Sequence, residues 1–366
     1  MFNYKFYNIN GLYFEVTDCE EEEYECTFIE EKRGQRNILY RAMLGKNTWM
    51  KLNVRYIGNF FVEARNSKGV LKHRISFLQH LRGKRVFIAF GSSSLGDTIA
   101  WIPYCLEFKK KYQCDVIVST FKNFLFESVY PELEFVQPGE VVENIVAMPE
   151  VGWHWDKDKE PVNPITIPLQ RSACEILHLP YKEIRPRIAH KPATVEIEKY
   201  VCISTRSTSQ CKHWDKWPQL ISRLKDQGYR VIELSKEADD YGAEKPEDTS
   251  LEAAMDLLRS CEFYIGLSSG ISWLAWAMEV KVIMIANFTE SDHEFECVRV
   301  ENRSVCNGCW NNPKFKFDKG NWNWCPEHED TPRQFECHKS ISVDDVMNKI
   351  ALVDPTLNKL YTHPLL

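Results

Sequence analysis

The sequence predicts an α/β protein: two doubly wound domains in tandem, a small N-terminal antiparallel β module, and a four-cysteine metal finger inserted in the second domain. Three observations carry that reading. From Met50 to Tyr56 apolar and polar residues alternate strictly, the period of a half-buried strand. From Lys84 onward short apolar runs alternate with amphipathic stretches, the pattern of parallel strands joined by crossover helices. Near the end, Cys306-Asn307-Gly308-Cys309 is followed by Cys325 and Cys337.

Residues 1–82 read as a β barrel or sandwich. Tyr24 to Glu30, Ile38 to Leu44 and Met50 to Tyr56 fit strands. Phe60 to Arg65, the turn Asn66-Ser67-Lys68-Gly69 and Val70-Leu71 give a hairpin signal. Residues 83–192 form the first α/β domain. Arg85 to Phe90 is a buried strand, Gly91 to Thr98 the loop after it, Ile99 to Tyr112 a helix and Asp115 to Ser119 the next strand. A helix over 121–130, strands at 134–136 and 144–146, and a helix over 170–179 complete it. Pro180, Pro186 and Pro192 mark a linker.

Residues 193–366 repeat the alternation. Strands are expected at 200–204, 230–234, 263–267 and 281–285, and helices at 217–228, 251–261 and 271–278. The finger interrupts this domain at about 303–338, and a helix capped by Ser342 closes it. In open parallel sheets ligands bind beyond the carboxyl ends of the strands, so the loops there are the place to look for chemistry.

Composition narrows the function classes. The 366 residues, 44% hydrophobic and 27% charged, suit an ordinary globular chain with two or three domains. A net charge of −6 argues against a nucleic-acid-binding face. Met1 to Asn8 shows no apolar secretory core, and no run approaches the ~20 apolar residues needed to cross a bilayer. A cytoplasmic location is therefore expected. There the 13 cysteines stay reduced, so the clustered four point to a metal rather than to disulfides. Asn307-Gly308 supplies the tight turn of the knuckle, and four thiolates suit zinc or iron. Trp310, Trp322 and Trp324 crowd the same segment, either as core or as a sugar-stacking or subunit contact surface.

The loop Gly91 to Thr98 has neither Gly-x-Gly-x-x-Gly, which argues against a dinucleotide-dependent dehydrogenase, nor Gly-Lys-Ser/Thr, so it is not a phosphate-binding P-loop. Its one carboxylate, Asp97, is either the N-cap of a helix starting at Thr98 or a general base. Ser268, Ser269 and Gly270 precede a helix, where backbone N–H groups can take an anion. Lys212 lies in the polar loop running from Ser204 to Trp214, which suits a diphosphate. Thr205, Arg206 and Glu233 are donor-contact candidates by their position at strand ends.

The run Ser94-Leu95-Gly96-Asp97, Lys212-His213-Trp214 before Trp217-Pro218, and Gly266-Leu267-Ser268-Ser269-Gly270-Ile271-Ser272-Trp273-Leu274-Ala275 resemble the ADP-heptose glycosyltransferases, which have the two-Rossmann GT-B architecture. With the finger and the β module added, the chain resembles the bacterial autotransporter heptosyltransferase family over nearly its whole length. That resemblance implies transfer of heptose from an ADP-heptose donor to serine hydroxyls of an autotransporter adhesin passenger domain. It further implies Asp97 as catalytic base, Lys212 as a donor-phosphate contact, and one structural iron ion held by Cys306, Cys309, Cys325 and Cys337. A homo-oligomer of about twelve chains is also implied by the resemblance alone. Lipopolysaccharide-core relatives carry Asp-Thr-Gly-Leu-Ser-His where this chain has Ser268 to Trp273, which favours the protein-modifying branch. The alternatives are a lipopolysaccharide-core heptosyltransferase and a non-catalytic metal-finger scaffold on the same frame.

Overall fold

In the computed structural model, which describes residues 2–190, 199–317 and 324–354, the chain divides into two units. One comprises Met1–Ser93, Trp101–Pro164 and Leu169–Ile184; the other comprises Ser94–Ala100, Ile165–Pro168 and Arg185–Leu366. The expected domain boundary at 192/193 and the last proline of the linker lie outside the described residues.

In the first unit the strands are β1 (Asn3–Asn8), β2 (Leu12–Asp18), β3 (Glu23–Lys32), β4 (Gln35–Gly45), β5 (Thr48–Leu52), β6 (Phe60–Arg65), β7 (Leu71–Ser76), β8 (Arg85–Phe90), β9 (Asp115–Ser119), β10 (Glu134–Phe135), β11 (Ile145–Ala147) and β12 (Glu150–Val151). A short helix, α1 (Phe77–His80), follows β7. Residues 1–82 are shared between two sheets. β4-β3-β6-β7 form a four-stranded antiparallel sheet. β1, β2 and β5 instead extend the α/β sheet, in the order β10-β9-β8-β11-β1-β2-β5, with β1 parallel to β11 through Asn8 opposite Ala147. The inward faces agree: Phe6, Phe14 and Val16 are buried, as are Val86 and Ile88 of β8.

Three local expectations shift here. The strand expected to run to Tyr56 stops at Leu52. The helix expected over 121–130 is only a single turn at Asn123–Leu125. The Asn123 side chain accepts from the Thr120 N–H at 2.9 Å and donates to the Val136 carbonyl at 2.8 Å, side-chain bonds that compete with the helical ladder. The helix after β8, α2 (Leu95–Tyr112), begins four residues earlier than expected, which puts Asp97 inside its first turn and removes the N-cap reading. The last helix of the unit is α3 (Leu169–Ile176).

The second unit carries a parallel five-stranded sheet, β14-β13-β15-β16-β17, from β13 (Tyr200–Ser204), β14 (Arg230–Glu233), β15 (Tyr264–Leu267), β16 (Val282–Ile285) and β17 (Val298–Val300). Its helices are α4 (Trp217–Asp226), α5 (Leu251–Ser260), α6 (Gly270–Ala277), α7 (Glu336–Lys339) and α8 (Val343–Val353). Pro218 sits in the first turn of α4, where its missing N–H costs nothing. Ser342 and Asp345 close a reciprocal capping box on α8. Val201, Ile203, Ile265 and Ile283 from the sheet pack with Leu220, Leu224, Val346 and Ile350 from α4 and α8 to form the core.

Candidate functional site

Every strand of this second sheet runs parallel, so the carboxyl ends of β13, β14 and β15 share one edge. Glu233 closes β14 there. Its Oε1 accepts from the Thr205 N–H at 3.2 Å and the Ser235 N–H at 2.7 Å, while the Ser204 and Ser235 hydroxyls lie 2.7 Å apart. Burial raises the Glu233 carboxyl, against the bonds from Ser235 and Thr205. This carboxylate thus ties two strand ends together. Arg206 turns to Asp239, 2.6 Å away in a half-exposed pair.

Lys212 ends a single helical turn, Gln210–Lys212, and reaches across to β15. Its Nζ donates to the Ser268 carbonyl at 3.1 Å and lies 3.3 Å from the Ser268 hydroxyl. That hydroxyl donates to Glu294 Oε1 at 2.5 Å. Glu294 Oε2 is 2.6 Å from the Arg299 guanidinium and accepts from the Thr289 hydroxyl at 3.1 Å. Glu294 and Arg299 are both buried, their side chains 1% and 9% exposed. Burial works to raise the Glu294 carboxyl, but Arg299, His293 and the Ser268 bond override it and hold it at about 2. Burial lowers the Lys212 ammonium, opposed by the negative charges of Glu294 and Asp97.

Asp97 comes to this edge through a close approach of two glycines. A Cβ on Gly96 would lie 3.0 Å from Trp273 Cδ1 and 3.6 Å from Gly270 Cα. The first turn of α2 therefore rests on the N-terminus of α6. Ser269 is the N-cap of α6 in extended geometry, and its hydroxyl makes no capping bond to the helix. Asp97, Lys212, Ser268, Ser269 and Gly270 are thus one cluster, with Thr205 and Glu233 at the neighbouring strand ends. Glu294, Arg299 and Thr289 were not foreseen. They lie in a stretch that reads as a polar loop around a three-residue strand, and no motif marks them.

The four cysteines expected to hold a metal influence one another's charge without forming a group of donor atoms within 4.8 Å. Cys309, Cys325 and Cys337 are buried and Cys306 is half-buried. Burial pushes the Cys306 thiol up to about 11, helped by Glu336 and Cys325, and the Cys337 thiol up to about 12, helped by Cys306 and Cys325. Cys309 is raised by burial and by Cys306, Cys337 and Cys325. Thiolates are soft donors of the kind iron and zinc take. Among the described residues the group whose donor atoms lie within 4.8 Å of one another is Cys306, His328 and Glu336, not the four cysteines expected from the sequence; only Cys306 belongs to both sets.

Gly308 turns the knuckle at φ +68°, and a Cβ there would run into Glu290. Its N–H donates to the Asn287 carbonyl at 2.8 Å, and the buried Asn287 side chain donates to the Cys337 carbonyl. The finger is in this way tied to the segment leaving β16. Trp310 and Trp324 pack around Phe317, with centroids 5.4 and 5.5 Å from it; Trp322 lies outside the described residues. Among the described residues no helix is long and apolar enough to cross a membrane.

Residues 100–324 match the profile of glycosyltransferase family 9 (heptosyltransferase). The chain is 34% identical to the autotransporter heptosyltransferase Aah of Escherichia coli, with 93% of each chain covered. It is 29% identical to the inactive autotransporter heptosyltransferase BimC of Burkholderia thailandensis, covering 85% of this chain and 78% of that one. Among solved structures it resembles the iron-containing dodecameric glycosyltransferase TibC of enterotoxigenic E. coli, with a TM-score of 0.84, 28% identity, and 97% and 96% of the two chains covered. The same enzyme in complex with ADP-D-β-D-heptose matches with a TM-score of 0.83, at the same identity and coverage. The mixed α/β fold is therefore that of the GT-B-like heptosyltransferases. The chain belongs to glycosyltransferase family 9 and, within it, to the autotransporter heptosyltransferases.

Proposed function

We propose that this protein transfers heptose from ADP-heptose to serine hydroxyls of an autotransporter adhesin passenger domain, with inversion at the anomeric carbon. The observation that carries the reading is the meeting of Asp97, Lys212 and the N-terminus of α6 at one sheet edge. Asp97 takes the proton of the acceptor hydroxyl as its oxygen attacks the anomeric carbon. The bond from that carbon to the diphosphate breaks, and charge gathers on the departing ADP. Lys212 and the N–H groups at Ser269 and Gly270 meet that charge with a fixed cation and fixed dipoles, so the protein need not reorganise as it develops. Thr205 and Arg206 flank the donor side, with Glu233 holding their loop in place.

Cys306, Cys309, Cys325 and Cys337 would hold one iron ion, zinc being the chemical alternative, and an all-sulfur site with no open position gives that ion a structural role. A large homo-oligomer in the cytoplasm belongs to the same reading. Exposed Ile38, Tyr40 and Met43 on the edge strand β4, with Trp49 on β5, support self-association.

The test is incubation of the purified protein with ADP-heptose and a serine-rich passenger fragment, read by intact mass beside Asp97→Asn. Whole-heptose additions that fall by about 10²–10⁴ in rate in the variant are expected. Turnover by Asp97→Asn at the wild-type rate would overturn the base assignment. The inactive relative keeps a second reading in play. Donor binding without transfer to passenger or to lipopolysaccharide core would make this chain a scaffold, and transfer to core sugar alone would make it the lipopolysaccharide enzyme.

A further inference from the structure

Behind Lys212 stands a line of buried polar groups with no part in the chemistry above. The Ser268 hydroxyl donates to Glu294 Oε1 at 2.5 Å and lies 3.3 Å from Lys212 Nζ. Arg299 grips Glu294 from the far side at 2.6 Å and donates to the Thr289 and Ala286 carbonyls at 2.8 and 3.3 Å. The Thr289 hydroxyl adds a bond to Glu294 at 3.1 Å. Each member of the line is fixed by the next one inward.

The direction of these bonds matters. A serine hydroxyl has one proton to give and two lone pairs with which to accept. Because Ser268 spends its proton on Glu294, a lone pair is left for the Lys212 ammonium. Without the carboxylate, the hydroxyl is free to rotate its proton toward the lysine and repel it. A lysine is a point charge on a flexible four-carbon stem, so where it sits depends on what holds it.

We propose that Glu294 is a positioning residue for the transfer: through the Ser268 hydroxyl it fixes the Lys212 ammonium beside the N-terminus of α6, where the departing diphosphate is met. The inference rests on the reading of Lys212 as a donor-phosphate contact. Arg299 completes the device by keeping the Glu294 carboxylate ionised in a buried place. The groups that face Lys212 are Asp97 from α2, Glu294 and His293 from the segment after β16, Cys211 from its own turn and His338 from α7. Of these, Glu294 and Asp97 supply the negative charge that opposes the lowering of the ammonium by burial.

The experiment uses the full chain with its metal, ADP-heptose as donor and a passenger fragment as acceptor. It measures kcat, KM and their pH profiles, with ADP affinity by calorimetry, for Ser268→Ala, Glu294→Gln, Lys212→Ala and the two combinations with Lys212→Ala. Ser268→Ala should lower kcat by roughly 10- to 100-fold, the scale of a small misplacement of a reacting-site group, with KM changed far less. Glu294→Gln should do the same and also shift the alkaline limb of the profile to lower pH. Ser268→Ala should leave that limb in place, since the Glu294 charge remains.

In the Lys212→Ala background neither substitution should cost anything further, which a merely structural role would not produce. If Glu294→Gln does not fold, Ser268→Ala decides the matter, because it leaves the Glu294–Arg299 pair intact. Wild-type kcat in Ser268→Ala, or losses that multiply with Lys212→Ala, would overturn the inference. A wild-type protein that binds no ADP would instead overturn the functional reading beneath it.

Discussion

Gly270 lies so close to Leu95 that a Cβ on it would stand 2.9 Å from the Leu95 Cβ and 3.3 Å from the Gly96 amide nitrogen. Real Cβ atoms do not approach neighbours that closely, and one of the atoms in the way belongs to backbone. This contact limits how closely the turn that carries Asp97 can approach the helix terminus beside Lys212.

Gly270→Ala should therefore damage catalysis more than folding. The added methyl pushes the first turn of α2 away and takes Asp97 with it. Overpacking of this kind costs about 1–3 kcal/mol of stability, while displacement of a reacting group costs about 10²-fold in rate. Thermal melting and single-turnover transfer on the same preparation separate the two. A variant that transfers at the wild-type rate would show that the glycine pair does not set the Asp97 position.

The metal proposed for the cysteine segment should be lost on acidification before the rest of the chain unfolds. Thiols bind metal as thiolates, and the protonated form is favoured by burial, then by Glu336 at Cys306, raised to about 11, and by Cys306 at Cys337, raised to about 12. Protons therefore compete strongly for the sulfurs, and affinity falls as pH falls. Metal content after dialysis at pH 8 and at pH 5, measured beside Cys309→Ser, checks this. Cys309→Ser should carry less than one ion per chain and melt at lower temperature. Full metal occupancy in that variant would exclude Cys309 from the ligand set and favour the alternative set of Cys306, His328 and Glu336.

How far the sequence discloses this protein depends on how local each signal is. β13, β15 and β16 are apolar runs bounded by polar turns, and each is readable alone. β17 is not, since three residues with Arg299 at their centre look like loop until they pair with β16. β1 is ambiguous for a different reason: its partner β11 lies far along the chain, and nothing near Asn3–Asn8 announces that pairing. Asp97 and Lys212 stand in recognisable runs of residues. Glu294 and Arg299 are legible only as a pair, once folding has removed both from water.

Glu160 is another buried carboxyl, in the first unit, with the opposite titration behaviour to Glu294. Burial raises it from 4.5 to about 7, against bonds from the Trp155 and His154 backbone N–H groups. The folded value lies above the unfolded one, so folding favours the protonated form. No stability is lost below the unfolded value; as pH rises from 4.5 to about 7 the unfolded state ionises first and stability declines. Glu160→Gln keeps an acceptor for the Trp155 N–H, which lies 2.7 Å from the carboxylate, and removes the titration. Relative to wild type its melting temperature should rise between pH 4.5 and pH 8. A difference that stays flat over that range would place the Glu160 titration elsewhere.

Arg299→Met should reverse the sign of the pH dependence at Glu294. In the wild type the Glu294 carboxyl is held near 2 rather than 4.5, so its ionised form stabilises the fold above pH 4.5, and that contribution fades as pH falls toward 2. Removing the guanidinium takes away the largest opposing charge and leaves the buried carboxylate its hydroxyl bonds and the fields of His293 and Lys212, so burial pushes its folded value upward. Breaking a buried pair by deleting one partner costs about 3–5 kcal/mol, much of it from the stranded charge. The gap in melting temperature between wild type and variant should be widest at pH 7 and narrow toward pH 4, as the variant's carboxyl takes up a proton. It should not close, because Arg299 also bonds the Ala286 and Thr289 carbonyls, and those losses do not titrate. A gap of constant size from pH 7 to pH 4 would mean that Glu294 does not depend on Arg299 for its charge.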